Sequence, residues 1–490
     1  MRRLKLTALA AILSLTTGAA WAENSAYVLK SSADQTNSGS SDNQELAESG
    51  ARLLKKGEYL AVASDCTACH TGTKPFAGGK AIESPVGEIV ATNITPSKTA
   101  GIGNYTEQQF ADAVRKGIRG DGAHLYPAMP YTAYATLTDE DIHALYSYFM
   151  SGVPPVDEPT RQTHLPFPLN LRFSMLFWNA LFLKSPGYTP DSSQSESWNR
   201  GRYLVEGATH CSTCHTPRGF LMQEKEEEAF TGAQVGPWFA PNITHNKVSG
   251  IGSWSQQDLV TYLQTGRLAG KAQAAGSMAE AITHSFQYLF PTDLTAIAEY
   301  LATVPDAQAP AAGKSRFQQG TAANNLVAFR GDAFSAPVKD EGARLFSGNC
   351  ASCHGSSGQG TEDGFYPSLF NNSATAGRNP ANLVATILYG VERDTAQGNV
   401  FMPPFGEQPN ALNHLNDDQV ATLSNWILHH YGNAEVTVSA SQVAEIRRGG
   451  PASPLVMMAQ AGVAAGGVVI IALIVLFLYR RKRRKNLNTL

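Results

Sequence analysis

At 490 residues, 43% of them hydrophobic and 16% charged, the chain carries apolar surface for about three domains and falls outside the disordered class. Its net charge of -3 hides an asymmetry: without the three cations of the N-terminal stretch and the six of the C-terminal tail, neither of which holds an acid, the rest carries -12. So acidic a body repels phosphate backbones, which excludes nucleic acid as a partner.

The first 22 residues read as a secretory signal. Arg2, Arg3 and Lys5 precede an apolar run over residues 6–20, and the small residues Ala20 and Ala22 predict cleavage after Ala22. Residues 23–45, polar and serine-rich, read as disordered.

The first chemical motif is CTACH, with Cys66, Cys69 and His70. It returns as CSTCH, with Cys211, Cys214 and His215, and as CASCH, with Cys350, Cys353 and His354, and together these use all six cysteines. Two thiols at this spacing share one short helical turn, where each can add to a vinyl group of the same haem, and the adjacent histidine then stands beneath the iron as proximal ligand. Disulfides would suit an exported chain, and zinc would suit two converging pairs, but neither accounts for a histidine after each pair. The expectation is three covalently bound haem c groups.

Around the motifs the chain repeats itself. Gly57, Tyr59 and Leu60 precede the first motif, Gly201, Tyr203 and Leu204 the second, and Gly342, Leu345 and Phe346 the third. Asn93-Ile94-Thr95 with Gly101-Ile102-Gly103 returns as Asn242-Ile243-Thr244 with Gly250-Ile251-Gly252, which implies duplicated domains. Each unit closes with a helix. Thr138 and Asp141 make a capping-box pattern before Ile142, Leu145 and Phe149; Thr292 opens a run through Leu294, Ile297 and Leu301; Asn416 and Gln419 repeat the box before Val420, Leu423 and Ile427. Strands are barely signalled. The predicted fold is mostly α: three tandem units resembling class I cytochrome c domains, at residues 46–153, 199–306 and 338–434, each with first and last helices packed around a haem, and then a transmembrane helix.

A haem that only carries electrons is best six-coordinate, and methionine sulfur raises its potential. Met129 in LYPAMPY, Met278 in AAGSMAEAI and Met402 in VFMPPF lie 59, 63 and 48 positions after His70, His215 and His354 and are the expected sixth ligands. Proline beside Met129 and Met402 stiffens the presenting loop. Met278 lacks that support, and His284 competes with it. Met150, Met175 and Met222 read as packing residues, His143 and His429 receive no role, and Tyr126, Pro127, Tyr131 and Tyr134 read as aromatic packing or haem-edge residues.

Between the first two units, residues 154–198 include LPFPLNLRFSMLFWNALFLK, too apolar for a spacer. Phe167, Phe173, Leu176, Phe177, Trp178, Leu181 and Phe182 either face a partner or membrane or fill a seam between domains. Residues 307–337, rich in Ala, Gly, Gln and Ser, read as flexible connection, and 435–454 form a further linker. Residues 451–479 have no charge, and 455–479 is the expected membrane anchor. The cations of the tail 480–490, Arg480, Arg481, Lys482, Arg483, Arg484 and Lys485, hold it in the cytoplasm and leave the body on the periplasmic face of the inner membrane.

The segments CTACHTGTKPFAGG, ATNITPSKTAGIGNYT, LYPAMPY, LTDEDIHALYSYFM, CSTCHTPRGF and SGIGSWS resemble the triheme cytochrome c subunit of membrane-bound dehydrogenases of acetic acid bacteria and relatives, over residues 46–434. The anchor and the second Asn-Ile-Thr bring it nearest the fructose and gluconate dehydrogenase type. The resemblance implies a separate catalytic subunit that oxidises an alcohol, aldehyde, sugar or sugar acid with flavin, pyrroloquinoline quinone or molybdopterin, sometimes with a small third subunit, and ubiquinone as electron acceptor. It supports Met129, Met278 and Met402 as iron ligands; no quinone site can be named by residue. The chain shows no dinucleotide fingerprint and no catalytic triad pattern of its own. Two rival readings are a haem peroxidase or reductase with an open iron position, and a cytochrome subunit of a terminal oxidase.

Overall fold

The computed structural model describes residues 41–306, 313–326, 329 and 340–487. The signal segment and residues 23–40 lie outside the described residues. Residues 41–45, expected to be disordered, belong to the helix Ser41–Ala63. Extending a helix already anchored by packing adds a hydrogen bond for each residue fixed, so the polar first turn follows the buried ones.

Helices pack in first-and-last pairs, as expected: Ser41–Ala63 against Asp139–Ser151, Glu196–Tyr203 against Pro291–Leu301, and Glu341–Asn349 against Asp417–Tyr431. Each crossing is made at the glycine that recurs in the sequence. A Cβ on Gly57 would lie 2.1 Å from the Ala144 carbonyl oxygen, and one on Gly201 would lie 1.9 Å from that of Ala296. On Gly342 it would meet the Trp426 Cβ at 2.6 Å. The recurring glycine is therefore a packing requirement, because no side chain fits between the backbones.

Two hydrophobic cores result. One runs through the segments around the first two motifs, from Leu60 to Val304, and the other surrounds the third, from Ala343 to Ile446. Among the described residues the strands form four two-stranded antiparallel hairpins, the longest pairing Val391–Thr395 with Gly398–Met402. Strands of two to five residues are too short to display an alternation in sequence, which is why they were barely signalled.

The caps depart from expectation in an instructive way. Asn416 and Gln419 form the complete box. Thr138 accepts from the Asp141 backbone, but the Asp141 carboxylate does not return to the cap; it takes Tyr203 Oη at 2.5 Å and Lys56 Nζ at 2.6 Å. The closing helix of the second segment starts at Pro291, not Thr292, with no side-chain cap.

The segment 307–337, expected to be a flexible connection, is tied down where it is described. Phe317 is buried and packs on Trp254, Arg316 donates to the Asn242 carbonyl at 3.0 Å, and Asn325 donates to Tyr431 Oη at 2.8 Å. The apolar stretch 154–198 divides its roles. Leu165 and Trp178 are buried, while Phe167, Phe173, Leu176, Phe177 and Leu181 are exposed, Leu181 by 70%. The C-terminal helix Leu455–Leu487 includes a 29-residue span, Leu455–Arg483, apolar and long enough to cross a membrane, with no buried residue in its most apolar stretch.

Candidate functional site

Each Cys-x-x-Cys-His motif lies on one short helical turn: Cys66–His70, Cys211–His215 and, entered from Cys350, Ala351–His354. The residue before the first cysteine is left-handed in the first two, Asp65 at φ 50° and His210 at φ 37°, and this sharp entry breaks the motif turn away from the long helix before it. No two of the six cysteines are joined in a disulfide. Burial pushes Cys66 and Cys350 up to about 12, and Cys69 and Cys214 up to about 11, so the sulfurs are held as thiols. No group of three or more His, Cys, Asp or Glu among the described residues is arranged to hold a metal ion.

The three histidines share one geometry. His70 Nδ1 meets the Thr92 carbonyl at 2.7 Å, His215 Nδ1 the Pro241 carbonyl at 2.6 Å, and His354 Nδ1 the Pro367 carbonyl at 2.9 Å. A carbonyl can only accept, so Nδ1 carries the proton and the Nε2 lone pair is bare. Burial lowers the pKa of all three, that of His215 to about 4, which keeps the imidazoles neutral. A neutral, oriented imidazole beside two thiols on one turn is the donor set that a covalently attached haem requires, and the residues present fit the group.

The expected sixth ligands fall on the same cores as their motifs. Met129 and Met278 pack against the first core with Cys66 and Cys211, and Met402 packs against the second beside Cys350. Their settings differ: Met129 sits in a turn, Met278 in the helix Gly276–His284, and Met402 ends a strand. His284, six residues beyond Met278, lies on another face of that helix, near Glu280 and Lys80. Met150 packs on the first core as expected. Tyr134 is buried within it and Tyr131 is also buried, Tyr131 donating to Asn179 at 2.8 Å and Tyr134 to the Ser64 carbonyl at 2.6 Å, directly before the first motif.

The cytochrome c family matches residues 340–430, and the family of subunit III of cbb3-type cytochrome c oxidase matches residues 52–149. The chain is 49% identical to the fructose dehydrogenase cytochrome subunit of Gluconobacter japonicus over 84% of its own length and 86% of the relative's. It belongs to the cytochrome c subunits of membrane-bound dehydrogenases. Two further members are the alcohol dehydrogenase (quinone) cytochrome c subunit of Gluconacetobacter polyoxogenes, 38% identical over 92% of both chains, and the gluconate 2-dehydrogenase cytochrome c subunit of Pantoea cypripedii, 38% identical over 81% of this chain and 90% of the relative. These matches run through nearly the whole chain, whereas the oxidase likeness is local, so membership in the dehydrogenase group supersedes the terminal-oxidase reading.

Sequence reasoning missed several residues that lie around the motifs and the helices packed on them. Arg316 and Arg393 reach the surroundings of the second motif from outside its own segment. Neither carries a spacing signal, because each comes from a stretch distant in sequence. Tyr59 and Tyr203 were visible as a repeat, but only their partners reveal what they do.

Proposed function

We propose that this chain is the electron-transfer subunit of a membrane-bound dehydrogenase, carrying three covalently bound haem c groups and passing electrons from a catalytic subunit to ubiquinone. The observation that carries the reading is the thrice-repeated set of buried thiols and a histidine whose Nδ1 is committed to a carbonyl. Haem supplies one-electron redox chemistry when bound. The chain's share is to fix each imidazole, offer Met129, Met278 and Met402 as sulfur donors, exclude water with the two cores, and hold the body at the membrane through residues 455–479. The relatives' names motivate the partner: fructose, alcohol and gluconate dehydrogenases each include such a cytochrome subunit. With basic residues closing the anchor, the body lies in the periplasm.

Purification in mild detergent tests this. A copurifying dehydrogenase subunit with flavin, pyrroloquinoline quinone or molybdopterin, whose substrate reduces the haems and whose electrons a ubiquinone analogue then removes, is the expected result. A copper-haem oxidase core in the preparation, or a resting high-spin spectrum from a five-coordinate iron, would overturn it.

A further inference from the structure

Three N–H donors near the second motif are buried with nothing to bond: Trp254 Nε1, Arg316 Nε and Arg393 Nε. They belong to one place. Arg316 donates through Nη2 to the carbonyl of Asn242, the neighbour of Pro241, whose own carbonyl holds His215. The Trp254 ring lies 5.3 Å from that of Tyr262 and 5.2 Å from that of Phe317, next to Arg316. Arg393 donates to the Ala274 carbonyl at 2.7 Å and to Gln273 at 3.0 Å, four and five residues before Met278. Both guanidinium charges are felt at Tyr262.

Among the described residues the bonds of the two arginines go to the Asn242 and Ala274 carbonyls and the Gln273 amide, with no carboxylate, and Arg393 is 1% exposed. An uncompensated buried cation is strongly unfavourable, which calls for an anion in this pocket. Desolvation lowers both guanidinium pKa values, that of Arg316 to about 10, as expected where the counter-charge is yet to be supplied. A haem attached at Cys211 and Cys214 brings two carboxylates, its propionates.

Arg393 is an import. It belongs to the hairpin of the third segment, where it pairs with Val400 while Val391 pairs with Met402, the third segment's sulfur donor. In the first segment the equivalent place is filled locally: a Cβ on Gly117 would meet the Tyr131 ring at 2.7 Å, whereas one on Gly266 would meet Arg393 at 2.4 Å. The two glycines close corresponding helices, Glu107–Lys116 and Gln256–Thr265.

We propose that Arg316 and Arg393, with Trp254, bind the propionates of the haem attached at Cys211 and Cys214, so that one hairpin contributes an arginine to this haem and Met402 to the next. This rests on the haem reading of the motif. Two cations beside the porphyrin favour the reduced iron, and their loss lowers the potential.

The test is a spectroelectrochemical titration of the full chain. The second haem's wave is identified by its loss in Cys211→Ala/Cys214→Ala and, should that variant not fold, by its displacement in Met278→His. Arg393→Gln and Arg316→Gln are each expected to move that wave alone to lower potential. Arg393→Lys should bring it back toward the parent value, which a purely structural role would not do. Trp254→Phe, removing one neutral donor, should give a smaller shift. Haem mass on the 211–215 peptide with an unmoved wave in both glutamine variants overturns the assignment alone; a haem-free peptide overturns the underlying reading and the assignment with it.

Discussion

The Tyr203 hydroxyl donates to the Asp141 carboxylate at 2.5 Å and accepts the backbone N–H of Thr138 at 3.2 Å. It thus stands at the N-cap of another segment's helix. The arrangement is reciprocal: Tyr59 donates to Asp293 at 2.6 Å and accepts the Phe290 N–H at 3.3 Å. Each opening helix of the first two segments therefore caps the closing helix of the other, an exchange consistent with a pseudo-twofold pair. The third segment, with Arg344 at the corresponding position, closes its own box with Asn416 and Gln419.

Removing one hydroxyl should loosen this pairing. Tyr203→Phe leaves Asp141 with Lys56 but orphans the Thr138 N–H, and a loss of about 1–3 kcal/mol is expected in thermal unfolding, by analogy with hydrogen bonds to charged groups. Tyr59→Phe should do the same at Asp293. Because the two bonds brace one interface, the double variant should lose an amount different from the sum of the single losses, which a double-mutant cycle reads directly.

Acid should attack the same interface at Asp293. Burial raises its pKa, but the paired hydrogen bonds from Arg200, at 2.9 and 2.7 Å, and the one from Tyr59 outweigh burial and hold it below the ordinary carboxylate value. A depressed folded pKa contributes stability that is complete above the unfolded value, about 3.9, and lost as pH falls through the folded one. Stability should therefore decline below about pH 4, and Asp293→Asn should be less stable at neutral pH with a flatter acid limb.

The crossing glycines predict a packing defect. Gly201→Ala places a methyl group 1.9 Å from the Ala296 carbonyl oxygen, which only backbone separation relieves. Overpacking of this kind typically costs about 1–3 kcal/mol, so a clear drop in the melting temperature is expected while the haem content of material that folds is unchanged.

At the second site, methionine and histidine make opposite predictions. Met278→Ala should leave a high-spin iron detectable by absorbance or EPR, whereas His284→Ala, which alters a group beside Glu280 and Lys80, should leave the spectrum low-spin. A high-spin signal from the histidine variant alone would reverse the assignment.

The anchor is tested by deletion. A chain ending before Leu455 should be recovered haem-replete without detergent and should reduce quinone in membranes poorly. The head of this helix also touches the apolar stretch, since Gln460 donates to the Phe167 carbonyl at 3.0 Å, so residual membrane binding would be lost on adding Phe173→Glu and Phe177→Glu.

The sequence by itself determined whatever is local or periodic. Cysteines three apart with an adjacent histidine can serve one porphyrin on one helical turn, whatever surrounds them. The spacing of Ile142, Leu145 and Phe149, the Asn416 box and the charge-free run before Arg480 are likewise properties of short stretches. Tertiary structure alone decided the rest. That Thr138 and Asp141 do not close a box, that Phe317 and Asn325 pin a stretch expected to be flexible, and that Arg393 enters a pocket over a hundred residues earlier in the chain all depend on which surfaces meet. Such contacts are paired by burial, with no regular spacing to record them, and a lone arginine in a hairpin looks the same whether it faces water or a buried site.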